Sequence, residues 1–387
     1  MKQRILALLL SGVMALGLAA CGGGDPAPAE DAAGDQNQSA GVAPADMKVG
    51  LILIGEAADA YNKNHIEGMQ AACEKLGLDY DTQVVVKPNI AEDSTCADAI
   101  GELMDAGCNA IFANSFGHEQ YMVEAAADAP EIQFCHATGY QGATDELDNT
   151  HNYFAKIYEA RYLAGIAAGL KTETNKLGYV AAKPFAEVIS GYTAFYLGAK
   201  SVNPDVTMLV NYTNEWSDPT KEATNAQALV DQGCDVISQH SDTSAPATTA
   251  ETNGVFAVGY NDDMVPVAPN AALCSARVNW GAYYEYALGC LLEGKAIDQD
   301  WCGSYADGAC YLSPLNEKIV AEGTAEAIKT AEAGLADGSV QVFAGPLHGA
   351  DADGNELNLA EGEFYVENEK SSAPSFAYII DGITVLS

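Results

Sequence analysis

Beyond residue 47 the chain alternates short apolar runs with longer stretches of helical spacing. Residues 48–54 read as a strand, 62–76 as a helix, 83–86 as a strand and 97–106 as a helix. Residues 110–112 then read as a strand, 119–127 as a helix and 132–135 as a strand. Short apolar runs separated by helices of about 10–15 residues predict βαβ units around a parallel sheet. The order then restarts. Strands are predicted at 176–181, 206–210, 235–238, 255–258 and 274–278, with helices at 187–202 and 222–232.

A near-repeat ties the two halves together. Leu103-Met-Asp-Ala-Gly107-Cys108-Asn-Ala-Ile111 and Leu229-Val-Asp-Gln-Gly233-Cys234-Asp-Val-Ile237 share five of nine positions, 126 residues apart. Both fall at a helix–glycine–strand junction, so the chain reads as two similar α/β lobes. In open α/β sheets ligands bind beyond the carboxyl ends of the strands. The residues just past the repeated strands are Asn114-Ser115-Phe116 and His240-Ser241-Asp242. Facing lobes would place these tips on opposite walls of one cleft.

The first 46 residues break this pattern. Lys2 and Arg4 precede an apolar stretch over residues 5–18, and Leu18-Ala19-Ala20 sets small residues before Cys21. This is the layout of a secretory signal peptide over 1–20, and its ending is similar to a bacterial lipobox, which makes Cys21 the expected lipidation site. Residues 22–46 contain no aromatic side chain and are mostly Gly, Ala, Pro, Asp, Gln and Ser. Such a composition buries too little surface to order itself, so 21–46 are expected to be a lipidated flexible tether. The body would then sit at the extracytoplasmic face of the cell membrane, held by its lipid.

Composition narrows the function. The 387 residues carry 54 acidic against 18 basic side chains, a formal charge of −36. That charge repels phosphates and excludes nucleic acid as a general partner. Of ten cysteines, setting Cys21 aside leaves an odd number, which argues against a complete disulfide framework. Cys73 and Cys108 sit in apolar patterns and read as core; Cys302 and Cys310, in a glycine-rich loop, are the candidate bridge. No nucleophile elbow, phosphate loop or dinucleotide fingerprint occurs, and the six histidines show no metal-ligand spacing. No catalytic residue, metal or cofactor is expected.

Candidate ligand residues follow from position. Tyr61 and Asn62 come after the first strand, with His65 one turn into the helix; Tyr61 could equally staple the helix entry. Asn114 and Phe116 lie at a strand tip. Glu187 opens a helix, either as a ligand group or as a helix-dipole acid. Trp216 lies in the polar turn Asn214-Glu215-Trp216-Ser217-Asp218-Pro219, and a large aromatic there needs a partner surface. Asp218-Pro219 reads as an N-cap with proline at the first helical position. His240 and Asp242 follow the repeated strand, and Asp242 has the alternative of capping the next helix. In Gly259-Tyr260-Asn261-Asp262-Asp263 one or two acids, Asp263 among them, are expected to reach the cleft. Asn279 and Trp280 start a helix, with Trp280 either core or ligand wall.

Together these segments resemble the BMP family (basic membrane protein, or purine-nucleoside-receptor-like) of bacterial substrate-binding lipoproteins. The likeness covers most of residues 48–387. It is densest in Glu159-Ala-Arg-Tyr-Leu-Ala-Gly-Ile-Ala-Ala168, Leu197-Gly-Ala-Lys-Ser-Val-Asn-Pro204, Asp231-Gln-Gly-Cys-Asp-Val-Ile-Ser-Gln239 and Gly345-Pro346. Where family members carry D-x-S-F-N after the first strand, this chain has Ala58-Asp59-Ala60-Tyr61-Asn62. Glu187-Val-Ile-Ser-Gly191, Trp216, Gln239-His240-Ser241-Asp242, Gly259-Tyr260 and Asn279-Trp280 are more similar to the branch associated with purine bases.

The resemblance implies a type I periplasmic-binding-protein fold, two Rossmann-like lobes joined by a multi-strand hinge. The expected division is 47–150 with about 265–335 in the N-terminal lobe, and 151–264 with about 336–387 in the C-terminal lobe. It further implies a monomer that delivers a purine base or nucleoside to ABC transporter permease subunits. Tyr61, Phe116 and Trp216 offer stacking surfaces, and Asp242 or Glu187 could accept from an exocyclic amine. The alternatives are a sugar or other heterocycle receptor of the same fold, a nucleoside-hydrolysing enzyme, and a sensory subunit.

Overall fold

The structure is a computed structural model that describes residues 41–142 and 144–386. The expected signal peptide, Cys21 and the tether as far as residue 40 lie outside the described residues.

In chain order the strands are β1 (Val49–Ile52), β2 (Val84–Lys87), β3 (Ala110–Ala113), β4 (Gln133–Ala137), β5 (Thr150–Ala155), β6 (Lys176–Ala181), β7 (Thr207–Tyr212), β8 (Val236–His240), β9 (Phe256–Tyr260), β10 (Ala272–Val278), β11 (Asp300–Gly303), β12 (Cys310–Leu312), β13 (Leu347–Ala350), β14 (Glu356–Leu359), β15 (Ile379–Ile380) and β16 (Ile383–Val385). The helices are α1 (Ala60–Leu76), α2 (Tyr80–Gln83), α3 (Ser94–Asp105), α4 (Glu119–Asp128), α5 (Ile157–Lys171), α6 (Ala186–Val202), α7 (Pro219–Asp231), α8 (Ala245–Asn253), α9 (Trp280–Glu293) and α10 (Thr324–Asp337).

Two sheets organise them. The first runs β11-β5-β4-β3-β1-β2 and is parallel throughout; the second runs β12-β10-β9-β8-β6-β7-β16, with only β12 antiparallel. Each contains a doubly wound 2-1-3-4-5 strand order, the arrangement whose switch point forms a ligand crevice. Helices cover both faces, and strands such as β1 and β3 are accordingly apolar and buried at every position. The fold is the type I periplasmic-binding-protein fold expected from the sequence.

The internal repeat has a geometric basis. Gly107 and Gly233 adopt φ of +81° and +86°, where an L side chain is strained. The Cys108 N–H donates to the Leu103 carbonyl at 3.2 Å, and that of Cys234 to Leu229 at 3.1 Å. Both turns therefore close α3 and α7 with the same left-handed cap and release the chain into β3 and β8. The Asp218 carboxylate caps α7 by accepting from the Thr220 and Lys221 N–H groups.

The division of the chain differs from the one expected. β5 lies in the first sheet, so that lobe continues past residue 150 to 155; β10 and β12 lie in the second sheet, and α10 packs on α5, so 265–278 and 310–337 belong with the second lobe. Only α9 and β11, between 280 and 303, return to the first lobe, where α9 packs on α1. Parallel pairing of β11 with β5, and antiparallel pairing of β12 with β10, decide this. Alternation alone does not reveal which edge a late strand joins. Residues 41–46, assigned to the tether, are instead seated on the body: the Val42 N–H donates to the Leu291 carbonyl at 2.9 Å, and Pro44–Asp46 forms a 3-10 turn.

The nine cysteines among the described residues are all free. Cys302 and Cys310 are not bridged, and the Cys310 thiol instead donates to the Lys156 carbonyl at 3.4 Å.

Candidate functional site

A narrow cavity, with only about 20 Å³ free between its walls, lies between the sheets, lined by Ile54, Tyr61, Asn114, Ser115, Phe116, Thr138, Glu187, Trp216, His240, Asp242 and Tyr260. These residues sit at or just beyond the carboxyl ends of β1, β3, β4, β6, β7, β8 and β9, where the strand order predicts a crevice. No lysine or arginine is among the lining residues.

Seven of the twelve residues singled out from the sequence line this cavity: Tyr61, Asn114, Phe116, Glu187, Trp216, His240 and Asp242. The other five do not, and their contacts account for it. The His65 ring stacks on Trp280 at 4.2 Å between centroids and meets the edge of Tyr61 at 4.7 Å, so both are buried behind Tyr61. Asn62 accepts from the Asn114 amide at 2.9 Å and joins α1 to the tip of β3. Asp263 accepts from the Val265 N–H at 3.0 Å as a local turn, and it is Asp262 that reaches across to Lys63 at 2.6 Å. Asn279 donates to the Gly308 carbonyl at 2.9 Å at a crossover between lobes.

The sequence reading missed Ile54, Ser115, Thr138 and Tyr260 as individual wall residues. All four lie at strand carboxyl ends, and that position was the available signal. Ile54 and Thr138 carry no charge or large ring to draw attention within it.

The walls come from both lobes. Tyr61 and Phe116 belong to the first, Trp216 and Tyr260 to the second. The Tyr61 hydroxyl donates to the Asn114 carbonyl at 2.6 Å, and the Asn114 side chain accepts from the Ile54 N–H at 3.0 Å. These groups are therefore committed to holding the wall. Above the cavity the exposed rings of Phe116 and Phe185 meet at 5.4 Å, and Phe185 reaches Trp216 at 6.0 Å. The Lys183 ammonium lies 5.2 Å over the Trp216 ring and 3.3 Å from Glu92 of the first lobe.

The uncommitted polar groups are few. The Trp216 indole N–H is buried without a partner among the described residues, and no side-chain hydrogen bond engages the buried Asp242 carboxyl there. Burial pushes the Asp242 carboxyl well above the usual carboxylate range, helped by the nearby acids Glu222, Asp59 and Glu187. Burial likewise raises Glu187 to about 7, partly opposed by the Arg161 guanidinium. His240, 3.3 Å from Glu187 through Nε2, is held neutral: burial, and then Arg161, push it well below its ordinary value. Arg161 is itself buried one layer behind, 3.8 Å over the Tyr260 ring, with Nη1 donating to the Gln239 carbonyl at 3.0 Å. Glu222 accepts from the Ser241 and Thr243 hydroxyls at 2.9 and 2.7 Å and fixes the loop that carries Asp242.

Two lobes closing on a small cavity lined by rings and acids define a solute-binding protein of the periplasmic-binding-protein class. The family model described as ABC transporter substrate-binding protein, PnrA-like (Bmp), matches residues 47–308, and the chain belongs to that family. It is 34% identical over 302 residues to a purine-binding protein of Brucella abortus, covering 78% of this chain and 84% of the relative. It is 33% identical over 347 residues to a putative ABC transporter glucose-binding protein of Haloferax volcanii, covering 88% and 86% respectively. Among solved structures, an ABC transporter solute-binding protein of Aeropyrum pernix superposes with a TM-score of 0.67 at 18% identity, over 79% of this chain and 95% of that one. Among the described residues no helix is long and apolar enough to cross a membrane.

Proposed function

We propose that this chain captures a purine base, free or as its nucleoside, between its lobes and delivers it to an ABC permease, as a monomer anchored through lipid on Cys21. The observation that carries the reading is the composition of the cavity: aromatic rings from both lobes beside two acids, Glu187 and Asp242, with no cation among the wall residues. A purine is a flat π-surface with N–H donors and ring-nitrogen acceptors on its edge. Stacking on an aromatic ring contributes roughly 1–3 kcal/mol per base. The carboxyl groups suit the donors, and the unpartnered indole N–H of Trp216 suits a ring nitrogen. The similarity to the Brucella purine-binding protein supports the same reading. The small cavity favours the free base over the nucleoside.

The Haloferax relative keeps a pyranose as the second reading, since rings and carboxyl groups also suit sugar hydroxyls. The test is a thermal-shift panel of nucleobases, nucleosides and hexoses on the mature protein. Ligand at a hundredfold excess over its dissociation constant adds about 2.7 kcal/mol to stability. The purine reading expects that response from a base, with no released product on chromatography after incubation with nucleosides. A response confined to hexoses, or hydrolysis of the nucleoside, contradicts it.

A further inference from the structure

Thr138 ends the carboxyl edge of β4 with φ at +69°. The other non-glycine residues with positive φ among the described residues are Asn89, Asn175, Asn214 and Asn261. Asparagine tolerates that region, whereas a β-branched residue there is a genuine outlier that persists only where its surroundings enforce it.

The surroundings are visible. The buried Glu119 carboxylate accepts from the Gln141 N–H at 2.6 Å and from the Asn152 amide at 2.7 Å, drawing the loop after Thr138 down onto α4. At Gly139 any side chain would collide with this clamp: a Cβ would lie 2.2 Å from Glu119 Oε1 and 2.3 Å from His136 Nδ1. The Thr138 N–H donates to the Tyr153 carbonyl at 3.2 Å. His136 Nε2, 2.7 Å from the Ser115 carbonyl, joins this loop to the neighbouring tip of the cavity wall. Thr138 is 6% exposed and lines the cavity, and no hydrogen bond engages its hydroxyl among the described residues.

A strained backbone, a clamp that holds it and a hydroxyl with no hydrogen bond among the described residues, set in the wall of a ligand cavity, converge on one role. We propose that Thr138 is a specificity-determining contact, held in the left-handed region by the Glu119 clamp so that its hydroxyl bonds the polar edge of the ligand. This rests on the reading of the cavity as a purine site. It gives the first lobe its own polar contact, opposite the acids of the second, and the strain is the cost of placing it.

The experiment measures affinity and apo melting temperature for the wild type, T138V, T138S and T138G with the base that gives the largest wild-type shift. T138V keeps the shape and the strain but lacks the hydroxyl, and affinity is expected to fall roughly three- to tenfold. T138S restores the hydroxyl and is expected within about twofold of wild type. T138G releases the strain, so its apo melting temperature should equal or exceed that of wild type while its affinity falls as in T138V. Wild-type affinity in T138V, or a lowered apo melting temperature in T138G, overturns the proposal and leaves the ligand assignment standing. Failure of the wild type to bind any purine overturns the ligand assignment, and this inference with it.

Discussion

The backbone N–H of Ala60, at the start of α1, donates to the carbonyl of Asp242 at 3.1 Å. The first residue belongs to one lobe and the second to the other, so this bond exists only when the cavity between them is closed. Asp242 thus faces the cavity with its side chain and fastens the opposite lobe with its main chain. Under the proposed function, a ligand on this carboxyl and closure of the lobes are coupled through one residue.

Charged pairs reinforce this closure on both flanks. Lys183–Glu92 spans one side at 3.3 Å, while Lys63–Asp262 at 2.6 Å and Arg277–Glu67 at 3.2 Å span the other. Partly exposed pairs of this kind contribute on the order of 1 kcal/mol each and weaken with salt. E92Q is therefore expected to raise the ligand dissociation rate by up to about fivefold with little change in apo melting temperature. Stopped-flow fluorescence at low and high salt checks this: the difference between variant and wild type should shrink as salt rises.

Trp216 presents an unpartnered N–H to the cavity and is only partly packed against the core. W216A is expected to weaken binding by roughly 1–3 kcal/mol, about five- to 150-fold, while the apo protein keeps its cooperative melt. Calorimetric titration beside circular dichroism separates the two effects. Loss of the apo fold would make Trp216 a core residue.

Glu187 sets a pH dependence of definite sign. Its folded-state pKa, about 7, lies above the ordinary 4.5, so between these values the folded protein holds more protons than the unfolded chain. Stability from this group is full below about 4.5 and is lost as pH rises through about 7. Glu367, buried and also raised to about 7, has the same sign. E187Q should therefore flatten, without abolishing, the fall in apo melting temperature between pH 5 and 7.5. An unchanged slope contradicts the assignment.

The alternating pattern carried the fold a long way. Strand 176–181 and the helix that became α1 were legible because parallel strands buried on both faces are apolar runs, and covering helices keep helical spacing. Boundaries between lobes were not legible, because which sheet β5, β10 and β12 join is decided by strand pairing rather than by local pattern. The site divides the same way. Phe116, Glu187, Trp216 and Asp242, which line the cavity, were legible from strand ends and conspicuous chemistry. His65 and Trp280 look equally conspicuous but stack on each other behind Tyr61, which only tertiary packing decides. Thr138 was invisible because its distinction is a dihedral angle.

The free thiols give a simple check on the covalent structure. Cys302 is half-buried and Cys310 fully buried, and burial pushes the Cys302 thiol up to about 12. A reductant should leave the melting temperature unchanged, and thiol reagents should modify the described cysteines only on unfolding. A drop in melting temperature on reduction would point to a Cys302–Cys310 bridge after all.

The most direct measurement is a calorimetric titration of the mature protein, in parallel, with adenine, adenosine and D-glucose, repeated with D242N. The expected result is saturable one-to-one binding of the free base, weaker binding of the nucleoside, none of the hexose, and a loss of roughly tenfold or more in D242N. Saturable binding of glucose with no response to either purine would contradict it.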